Sequence, residues 1–393
     1  MRPGLVLRPD RDRSVRRRHP WIFSGAIARV EGRPAAGAVV DVRAADGTWL
    51  AAAEFNPVSQ IRARAFCWEP DRPIDATFWR ERLQASIARR QRLLPHREAC
   101  RLVFAESDGL PGLIVDRYGR YLVLQTLTAG AEARKTQTVA DLVSLLDPLG
   151  IWQRDDPVRR KEGLPPAEGL LYGALPAEPI VIGEHGHRFL VDLRRGQKTG
   201  FYLDQAENRA LLAPYCAGAE VLNAFSYTGA FAVYALAAGA RHVVNLDSSA
   251  EALALAAANL QLNGFAATRW TNLEADVFVQ LRRWREEGRQ FDLIILDPPK
   301  FVTAPEHLER ATRGYKDINW LALRLLRPGG LLATFSCSGL VDRDLFQKIV
   351  FAAALDAGRE VRIVTHFGQA PDHPVLLTFP EAAYLKGLLC HVE

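Results

Sequence analysis

The sequence predicts an α/β protein of more than one domain, and three observations support this fold class. From about residue 180 onwards, short apolar strand patterns alternate with helical patterns, which is typical of a parallel sheet with helices on both faces. The first 72 residues instead contain short β patterns separated by Gly, Pro, Asp and Asn. The chain has 393 residues, which exceeds what one hydrophobic core usually supports.

These patterns divide the chain into four predicted segments. Residues 1–72 form a β-rich module, 73–97 a connecting helix, 98–179 a small central α+β domain and 180–393 the α/β domain. The helix is expected over Asp75–Leu94, because apolar residues recur there at helical spacing and a proline lies beyond each end. The central segment carries no pattern that indicates a particular chemistry.

The N-terminal module opens with a basic segment. The first thirty residues contain eight arginines and two aspartates, a local balance of +6, whereas the whole chain has a net charge of +5. Arg16, Arg17 and Arg18 are therefore candidates for contact with RNA phosphates, and the alternative is a solvated charged face. The nearby aromatic rings of Trp21 and Phe23 are expected to fill the core of the module. Lys198 and Lys300 are further candidates for RNA contact.

The α/β domain has polar residues where its first three predicted strands end. Gly229 opens a helix after the first strand, and a helix N-terminus attracts a carboxylate or phosphate. Asp247 ends the second strand and is placed to accept the two hydroxyls of a ribose, and Asp276 follows the third and is placed to meet an adenine amino group. Either aspartate alone is more often a helix N-cap. The pattern predicts an adenosine ligand, and the missing GxGxxG fingerprint favours S-adenosylmethionine over a dinucleotide.

Two further strands of this domain end in reactive side chains. FDLIILDPPKF, Phe291–Phe301, places Asp297 at a strand end, and GGLLATFSCSG, Gly329–Gly339, places Cys337 at a neighbouring strand end. A thiolate that adds to carbon-6 of a pyrimidine makes carbon-5 nucleophilic towards an activated methyl group. Asp297, protonated or hydrogen-bonded at N3, would offset the charge that develops on the ring. Alternatively, the DPP sequence serves the methylation of an exocyclic amine and Cys337 is a bystander.

Other function classes are disfavoured by the sequence. The remaining cysteines, at 67, 100, 216 and 390, are dispersed without a CxxC pair, so we expect reduced core thiols and no metal site. No apolar run is long enough to span a membrane, and no signal peptide precedes the first module, so a cytoplasmic location is expected. The oligomeric state is left open, with a homodimer as one option.

Nine segments, read in order along the chain, resemble one known family. They are HPWIFSGA, AESDGLPG, KTGFYLDQ, NAFSYTG, LDPPKF, RGYKDIN, TFSCSGL, LFQKI and YLKG. Together they resemble the ribosomal RNA large subunit methyltransferase I family, which makes 5-methylcytosine in 23S ribosomal RNA from S-adenosylmethionine. The resemblance implies an N-terminal RNA-binding PUA domain, a small central α+β domain and a C-terminal Rossmann-like class I methyltransferase domain.

The resemblance also implies roles for particular residues. Cys337 resembles the cysteine nucleophile of the family, and Asp297 resembles the acid of its DPP motif. The residues that resemble the cofactor pocket or line the active site are Asn223, Phe225, Gly229, Asp247, Asp276, Tyr202, Asp204 and Gln205. Other RNA 5-methylcytosine enzymes carry a second cysteine after the two prolines, whereas this chain has Lys300, so the base that removes the carbon-5 proton is unassigned.

Three functions are therefore consistent with the sequence. The first is methylation of carbon-5 of a flipped-out or single-stranded cytosine in 23S ribosomal RNA. The second keeps the cofactor but methylates an exocyclic amine of an RNA base. The third is a non-catalytic RNA-binding factor in ribosome assembly. An NAD-dependent oxidoreductase ranks last, because the glycine fingerprint is missing.

Overall fold

The computed structural model describes residues 2–302 and 304–393, and the chain forms two compact units. The first unit contains the chain up to Ile182 together with Val191–Leu203 and Pro371–Ala382. The second unit contains Gly183–Leu190, Asp204–Ala370 and Ala383–Glu393. Each unit is therefore built from segments that are distant in sequence.

The first sheet of the first unit is built from the N-terminal strands. Its order is β2–β6–β5–β4–β1–β3. Buried and partly exposed residues alternate along 39–43, so that Val40 and Val42 are buried in one core with Leu5 and Leu7. The elements are β1 (Gly4–Leu7), α1 (Arg13–Arg16), β2 (Trp21–Phe23), β3 (Ile27–Glu31), β4 (Val39–Arg43), β5 (Trp49–Phe55) and β6 (Ile61–Cys67).

Strand β2 corrects the expectation that Trp21 and Phe23 fill this core. Phe23 is 52% exposed and its neighbour Ile22 only 2%, since successive side chains on a strand face opposite ways and Ile22 takes the inner face. The expectation was therefore wrong for Phe23. The half-buried ring of Trp21 packs against Phe379 with a centroid distance of 4.8 Å, and its indole N–H donates to Glu106 at 2.9 Å.

Helix α2 (Ala76–Leu93) begins and ends within one residue of its predicted bounds. The Asp75 carboxylate accepts a hydrogen bond from the Phe78 N–H at 2.9 Å, which satisfies one of the free donors at the helix start. Leu83 and Ile87 from its apolar stripe are buried in the core of the second sheet. The helix therefore covers one face of that sheet.

The second sheet of the first unit has the order β11–β10–β9–β8–β7. The C-terminal segment Pro371–Ala382 joins this unit, because the Asp372 carboxylate accepts the Arg101 N–H at 2.9 Å and the Asp372 carbonyl accepts the Arg90 guanidinium at 2.9 Å. The elements are β7 (Ala99–Phe104), β8 (Leu113–Tyr118), β9 (Tyr121–Thr126), α3 (Ala129–Ala133), α4 (Lys135–Leu146), β10 (Gly150–Gln153), α5 (Val158–Lys161) and β11 (Gly169–Gly173).

The second unit is organised around a sheet with the order β16–β15–β14–β17–β18–β20–β19. Its strands are β14 (Glu220–Ala224), β15 (His242–Asp247), β16 (Trp270–Glu274), β17 (Phe291–Leu296), β18 (Leu326–Ser336), β19 (Val361–Gly368) and β20 (Lys386–Val392). Its helices are α6 (Ala206–Leu212), α7 (Ala230–Ala237), α8 (Ala250–Leu262), α9 (Val277–Glu286), α10 (Leu308–Leu325) and α11 (Arg343–Ala357). The strands β12 (Ile180–Glu184) and β13 (His187–Val191) form a separate small sheet.

The expectation of a parallel sheet holds for the first five strands of this unit and is wrong for the last. Neighbouring pairs from β14 to β18 are parallel, whereas β20 is antiparallel to both β18 and β19. The chain between β19 and β20 contains no α-helix in the structure described, so it makes no helical crossover of the kind that joins parallel strands. The fold is a Rossmann-like α/β sheet with an antiparallel strand added.

Candidate active site

The parallel strands bring the predicted site residues to one edge of the sheet. The carboxyl ends of parallel strands lie at the same edge, which is where ligands bind in open α/β folds. The loop 225–229 follows β14, Asp247 ends β15 and Asp276 follows β16. Asp297 follows β17 and Cys337 follows β18. These residues, separated by more than a hundred positions in sequence, therefore share one edge of the second unit.

The loop between β14 and α7 has a strained backbone. Phe225, Tyr227 and Gly229 have φ angles of +58°, +47° and +73°, and positive φ is uncommon for residues other than glycine. A Cβ on Gly229 would lie 2.9 Å from the Cβ of Ala256, so only glycine fits without a shift. Strain of this kind is often found at ligand sites, where the surrounding structure holds it.

Two hydroxyls in this loop are available to a ligand. The Oγ of Ser226 and the Oγ1 of Thr228 are buried, and neither has a hydrogen-bond partner among the residues that the structure describes. A buried hydroxyl without a hydrogen-bond partner costs free energy, so most buried hydroxyls form hydrogen bonds with protein, water or ligand. The loop therefore fits a polar ligand such as the predicted S-adenosylmethionine.

The two predicted aspartates have hydrogen bonds within the protein. The Asp247 carboxylate accepts the Tyr227 N–H at 2.8 Å and the Ser249 N–H at 3.0 Å. Asp276 is exposed and caps α9 by accepting the Val279 N–H at 2.9 Å. Both carboxylates retain acceptor capacity, since each oxygen has two lone pairs. The N-cap role of Asp276 is thus observed, and its contact with adenine stays a prediction.

Asn223 lies under the loop in a row of asparagine amides. Its side chain donates to Asn245 at 2.9 Å, and Asn245 donates to Asn272 at 2.9 Å. These residues lie opposite one another in the register of β14, β15 and β16. The row links the amides of the three strands beneath the loop, and a direct contact of Asn223 with cofactor stays a prediction.

The three residues of the FYLDQ segment belong to different units. Tyr202 lies in the first unit, where its hydroxyl donates to Gln197 at 2.7 Å and the Lys198 amine lies 4.5 Å from its ring centroid. Asp204 and Gln205 are buried in the second unit. The Asp204 carboxylate accepts the Tyr384 hydroxyl at 2.5 Å, and Gln205 accepts the Asn208 amide at 2.5 Å. Both side chains therefore form internal hydrogen bonds.

Cys337 lies in an extended segment between two buried serines. Ser336 and Ser338 are fully buried, whereas Cys337 is partly exposed, as expected for side chains that alternate along extended backbone. Asp297 is also partly exposed. Burial raises the pKa of Tyr315 to about 12, and the charges of Cys337 and Asp297 add to this increase. The thiol and the carboxylate both contribute to the electrostatic surroundings of this buried hydroxyl.

The other four cysteines are buried. Burial raises the pKa of Cys100 to about 11 and the pKa values of Cys216 and Cys390 to about 12, so these thiols stay protonated near neutral pH. Cys67 is buried in a small core with Phe66 and Phe78. Cys337 is thus the cysteine whose exposure suits a reaction with a substrate.

The sequence patterns do not indicate a role for two residues beside Cys337. Tyr315 on α10 is fully buried, and its hydroxyl accepts a hydrogen bond from Ser336 at 3.0 Å. Lys386 opens β20 opposite Ser336, and its amine donates to the carbonyl of Val341 at 2.6 Å. Both residues lie within segments that carry the family resemblance, RGYKDIN and YLKG. The lysine at the start of a largely apolar strand is a further sequence signal that could have identified Lys386.

The predicted RNA-binding cations are all exposed. Arg16 ends α1 and pairs with Asp12 at 2.6 Å, and Arg17 and Arg18 follow it. Lys198 lies in the first unit and Lys300 in the second. Within the described ranges, no helix is long and apolar enough to cross a membrane, and no three potential metal ligands cluster together.

Comparison with known proteins relates the chain to methyltransferases. A family model described as "S-adenosylmethionine-dependent methyltransferase" matches residues 165–390, and a model described as "PUA-like domain" matches residues 5–68. Ribosomal RNA large subunit methyltransferase I of Cronobacter sakazakii is 49% identical over 395 residues, and that of Shewanella denitrificans is 50% identical over 392 residues. Both alignments cover 99% of this chain and 99% of the relative.

Solved structures share the fold over the whole chain. A putative S-adenosylmethionine-dependent methyltransferase from Streptococcus mutans has a TM-score of 0.86 at 22% identity. SMU.776, a putative methyltransferase complexed with SAH, has a TM-score of 0.87 at 21% identity. Both comparisons cover 99% of each chain. At this level of identity the similarity concerns the fold.

Proposed function

Because the chain belongs to the ribosomal RNA large subunit methyltransferase I family of S-adenosylmethionine-dependent enzymes, we propose that it methylates carbon-5 of a cytosine in 23S ribosomal RNA through a covalent adduct with Cys337. The observation that carries this proposal is the partly exposed Cys337 thiol at the same sheet edge as the Asp297 carboxylate. Neither the reacting carbon nor the nucleophile follows from family membership alone.

In the proposed reaction, the Cys337 thiolate forms a bond to carbon-6 of the cytosine, and the electron pair of the carbon-5–carbon-6 double bond becomes available at carbon-5. Asp297, as the protonated acid, donates a hydrogen bond to N3, which offsets the charge on the ring. S-adenosylmethionine, held by the loop 225–229 and Asp247, would supply carbon-5 with an electrophilic methyl group whose leaving group is a neutral thioether. Loss of the carbon-5 proton to a base and departure of the Cys337 thiolate then restore the double bond.

The cofactor is assigned to the loop 225–229 and the strand ends beside it. The buried hydroxyls of Ser226 and Thr228 and the backbone of the loop would hold its polar groups. Asp247 would accept the ribose hydroxyls through the lone pairs that its backbone hydrogen bonds leave free. This arrangement needs no glycine-rich pyrophosphate loop, in keeping with a ligand that has no pyrophosphate.

RNA contact is assigned first to the N-terminal module. The match to a PUA-like domain over residues 5–68 and the exposed Arg16, Arg17 and Arg18 support this assignment. Arginine side chains neutralise phosphates, so their contribution is expected to be salt-dependent. A substrate of ribosomal RNA also implies that the enzyme acts in the cytoplasm, where ribosomes are assembled.

The test is to trap the adduct on RNA that contains 5-fluorocytosine. Fluorine at carbon-5 cannot leave as a proton does, so the covalent complex accumulates and is seen as a shifted band on a denaturing gel. We expect an adduct with the wild type and with Cys100→Ala, and none with Cys337→Ala. Cys337→Ala should also lower the methylation rate by roughly 10⁴-fold or more, as expected when a covalent nucleophile is removed.

Two results would contradict the proposal in different ways. Methyl transfer to RNA by Cys337→Ala at the wild-type rate would favour methylation of an exocyclic amine. Tight RNA binding by the wild type without any transfer from labelled cofactor would favour an assembly factor. Mass mapping of 23S ribosomal RNA from cells complemented with each variant identifies the modified base.

A further inference from the structure

Lys386 is a buried lysine next to the candidate nucleophile. It is only 4% exposed and lies opposite Ser336 in the antiparallel pair of β18 and β20, one residue from Cys337. Its amine donates to the carbonyl oxygens of Ser338 and Val341. These carbonyls belong to the turn that begins directly after the thiol and is closed by the Val341 N–H to Ser338 carbonyl hydrogen bond at 3.2 Å.

No carboxylate forms an ion pair with Lys386 in the part of the chain that the structure describes. A buried ammonium without a close counter-ion is costly, so a structural lysine at this position would usually be paired. Four groups act on its charge from a distance: Cys337 and Asp342 favour the ammonium form, and Arg343 and Lys300 oppose it. A thiolate at Cys337 would therefore help to stabilise the buried ammonium.

We propose that Lys386 is a positioning residue for Cys337, which holds the turn after the thiol and, as a cation, favours its thiolate form. The electrostatic part follows from reciprocity, because a thiolate that stabilises an ammonium is stabilised by it to the same extent. The hydrogen bonds to two carbonyls fix the amine, so the charge needs no rearrangement when the thiolate forms. The catalytic consequence rests on the proposed function of Cys337, whereas the effect on the thiol does not.

Burial lowers the pKa of Lys386 to about 8. The amine is therefore charged below pH 8 and loses its charge as the pH rises through this value. Its effect on Cys337 should accordingly be greatest below pH 8 and disappear near pH 10. A purely structural lysine would produce no such dependence on pH.

The experiment measures the alkylation of Cys337 by iodoacetamide between pH 6 and pH 10, with the modified peptide quantified by mass spectrometry. Only the thiolate reacts at an appreciable rate, so the rate at each pH reports the thiolate fraction. In Lys386→Met the rate at pH 6 to 7, where the wild-type amine is charged, should be roughly tenfold lower, as expected for the loss of one nearby charge, and the two rates should converge near pH 10. Lys386→Arg should retain most of the wild-type rate at pH 6 to 7. Lys348→Met removes an exposed lysine from α11 of the same unit and should match the wild type.

A second variant guards against misfolding. Lys386→Gln retains a hydrogen-bond donor for the turn but no charge, and we expect the same lower alkylation rate at pH 6 to 7. Each variant is checked for S-adenosylmethionine binding, which a folded second unit retains. An alkylation profile of folded Lys386→Gln that superimposes on that of the wild type would overturn the inference.

Adduct trapping separates this inference from the proposed function. If the wild type forms no adduct with 5-fluorocytosine RNA but Lys386→Gln shifts the alkylation profile, the proposed function fails and the effect of Lys386 on the thiol stands. If the wild type forms the adduct and Lys386→Gln alkylates and traps RNA as the wild type does, the inference about Lys386 fails alone.

Discussion

At the scale of single residues, the hydroxyl of Tyr315 is held between the two loops that carry the candidate catalytic groups. It accepts a hydrogen bond from Ser336 at 3.0 Å, next to Cys337. Its ring packs on Phe301, which ends the DPPKF segment, with a centroid distance of 4.6 Å. Burial keeps this hydroxyl neutral, since it raises the pKa of Tyr315 to about 12. Tyr315 therefore couples the position of the thiol to that of the Asp297 loop.

We predict that Tyr315→Phe lowers the methylation rate by roughly tenfold to a hundredfold, because small displacements of reacting groups have effects of this size. The ring stays in place, so the free energy of unfolding should fall by only about 1 kcal/mol, as for one lost hydrogen bond. Single-turnover kinetics and thermal unfolding measure the two effects. Tyr172→Phe, at an exposed tyrosine of the first unit, is the control. A rate within twofold of wild type would contradict a positioning role.

At the scale of elements, the loop 225–229 and α7 form the part of the site that depends most on backbone geometry. Phe225 and Tyr227 adopt positive φ despite having side chains, and the Asp247 carboxylate holds the Tyr227 N–H at 2.8 Å. The loop is therefore kept in a strained conformation by the neighbouring strand end. Its shape, more than any one side chain, defines the candidate cofactor site.

Gly229→Ala tests this geometry. The added Cβ would lie 2.9 Å from the Cβ of Ala256, so the loop or α8 must shift. We expect S-adenosylmethionine to bind at least about tenfold more weakly, equivalent to about 1.4 kcal/mol, as measured by calorimetry. Gly264→Ala is the matched control, because its φ of +80° carries the same backbone penalty but its Cβ meets nothing within 4 Å. Equal binding by the two variants would show that the clash at Gly229 is unimportant.

At the scale of the whole molecule, the first unit is joined by a buried charge network between its two sheets. The Arg64 guanidinium on β6 donates to the Glu162 carboxylate at 2.7 Å and lies 3.2 Å from Glu106. Ser59 also donates to Glu162, at 2.6 Å. These groups connect the N-terminal sheet with segments of the second sheet, and the two sheets are therefore expected to unfold together.

Glu162→Gln should lower the free energy of unfolding of the first unit by about 3 kcal/mol, because it leaves the buried Arg64 cation without a main partner. In calorimetry, the transition of this unit should move to lower temperature as a single peak. Glu168→Gln changes an exposed glutamate of the same unit and should leave the transition where it is. An unchanged transition in Glu162→Gln would show that the network contributes little.

Much of the fold and of the site was predictable because the relevant signals are local. Apolar periodicity reflects which face of a segment is buried, so it located α2 and the strands that lead to Asp247, Asp297 and Cys337. Polar residues directly after such strands indicated a shared edge, since parallel strands end together. The family shown by relatives of 49% and 50% sequence identity is the family that the nine segments resemble.

The tertiary structure alone decided the contacts between residues that are distant in sequence. The tertiary structure pairs β20 antiparallel to β18, which places Lys386 opposite Ser336, and it includes Pro371–Ala382 in the first unit. It also buries Ile22 and leaves Phe23 exposed. The sequence by itself determined which segments form strands and helices and which polar groups follow them. It could not determine their distant partners, because a local pattern records burial, whereas strand pairing depends on the free energy of the whole packed chain.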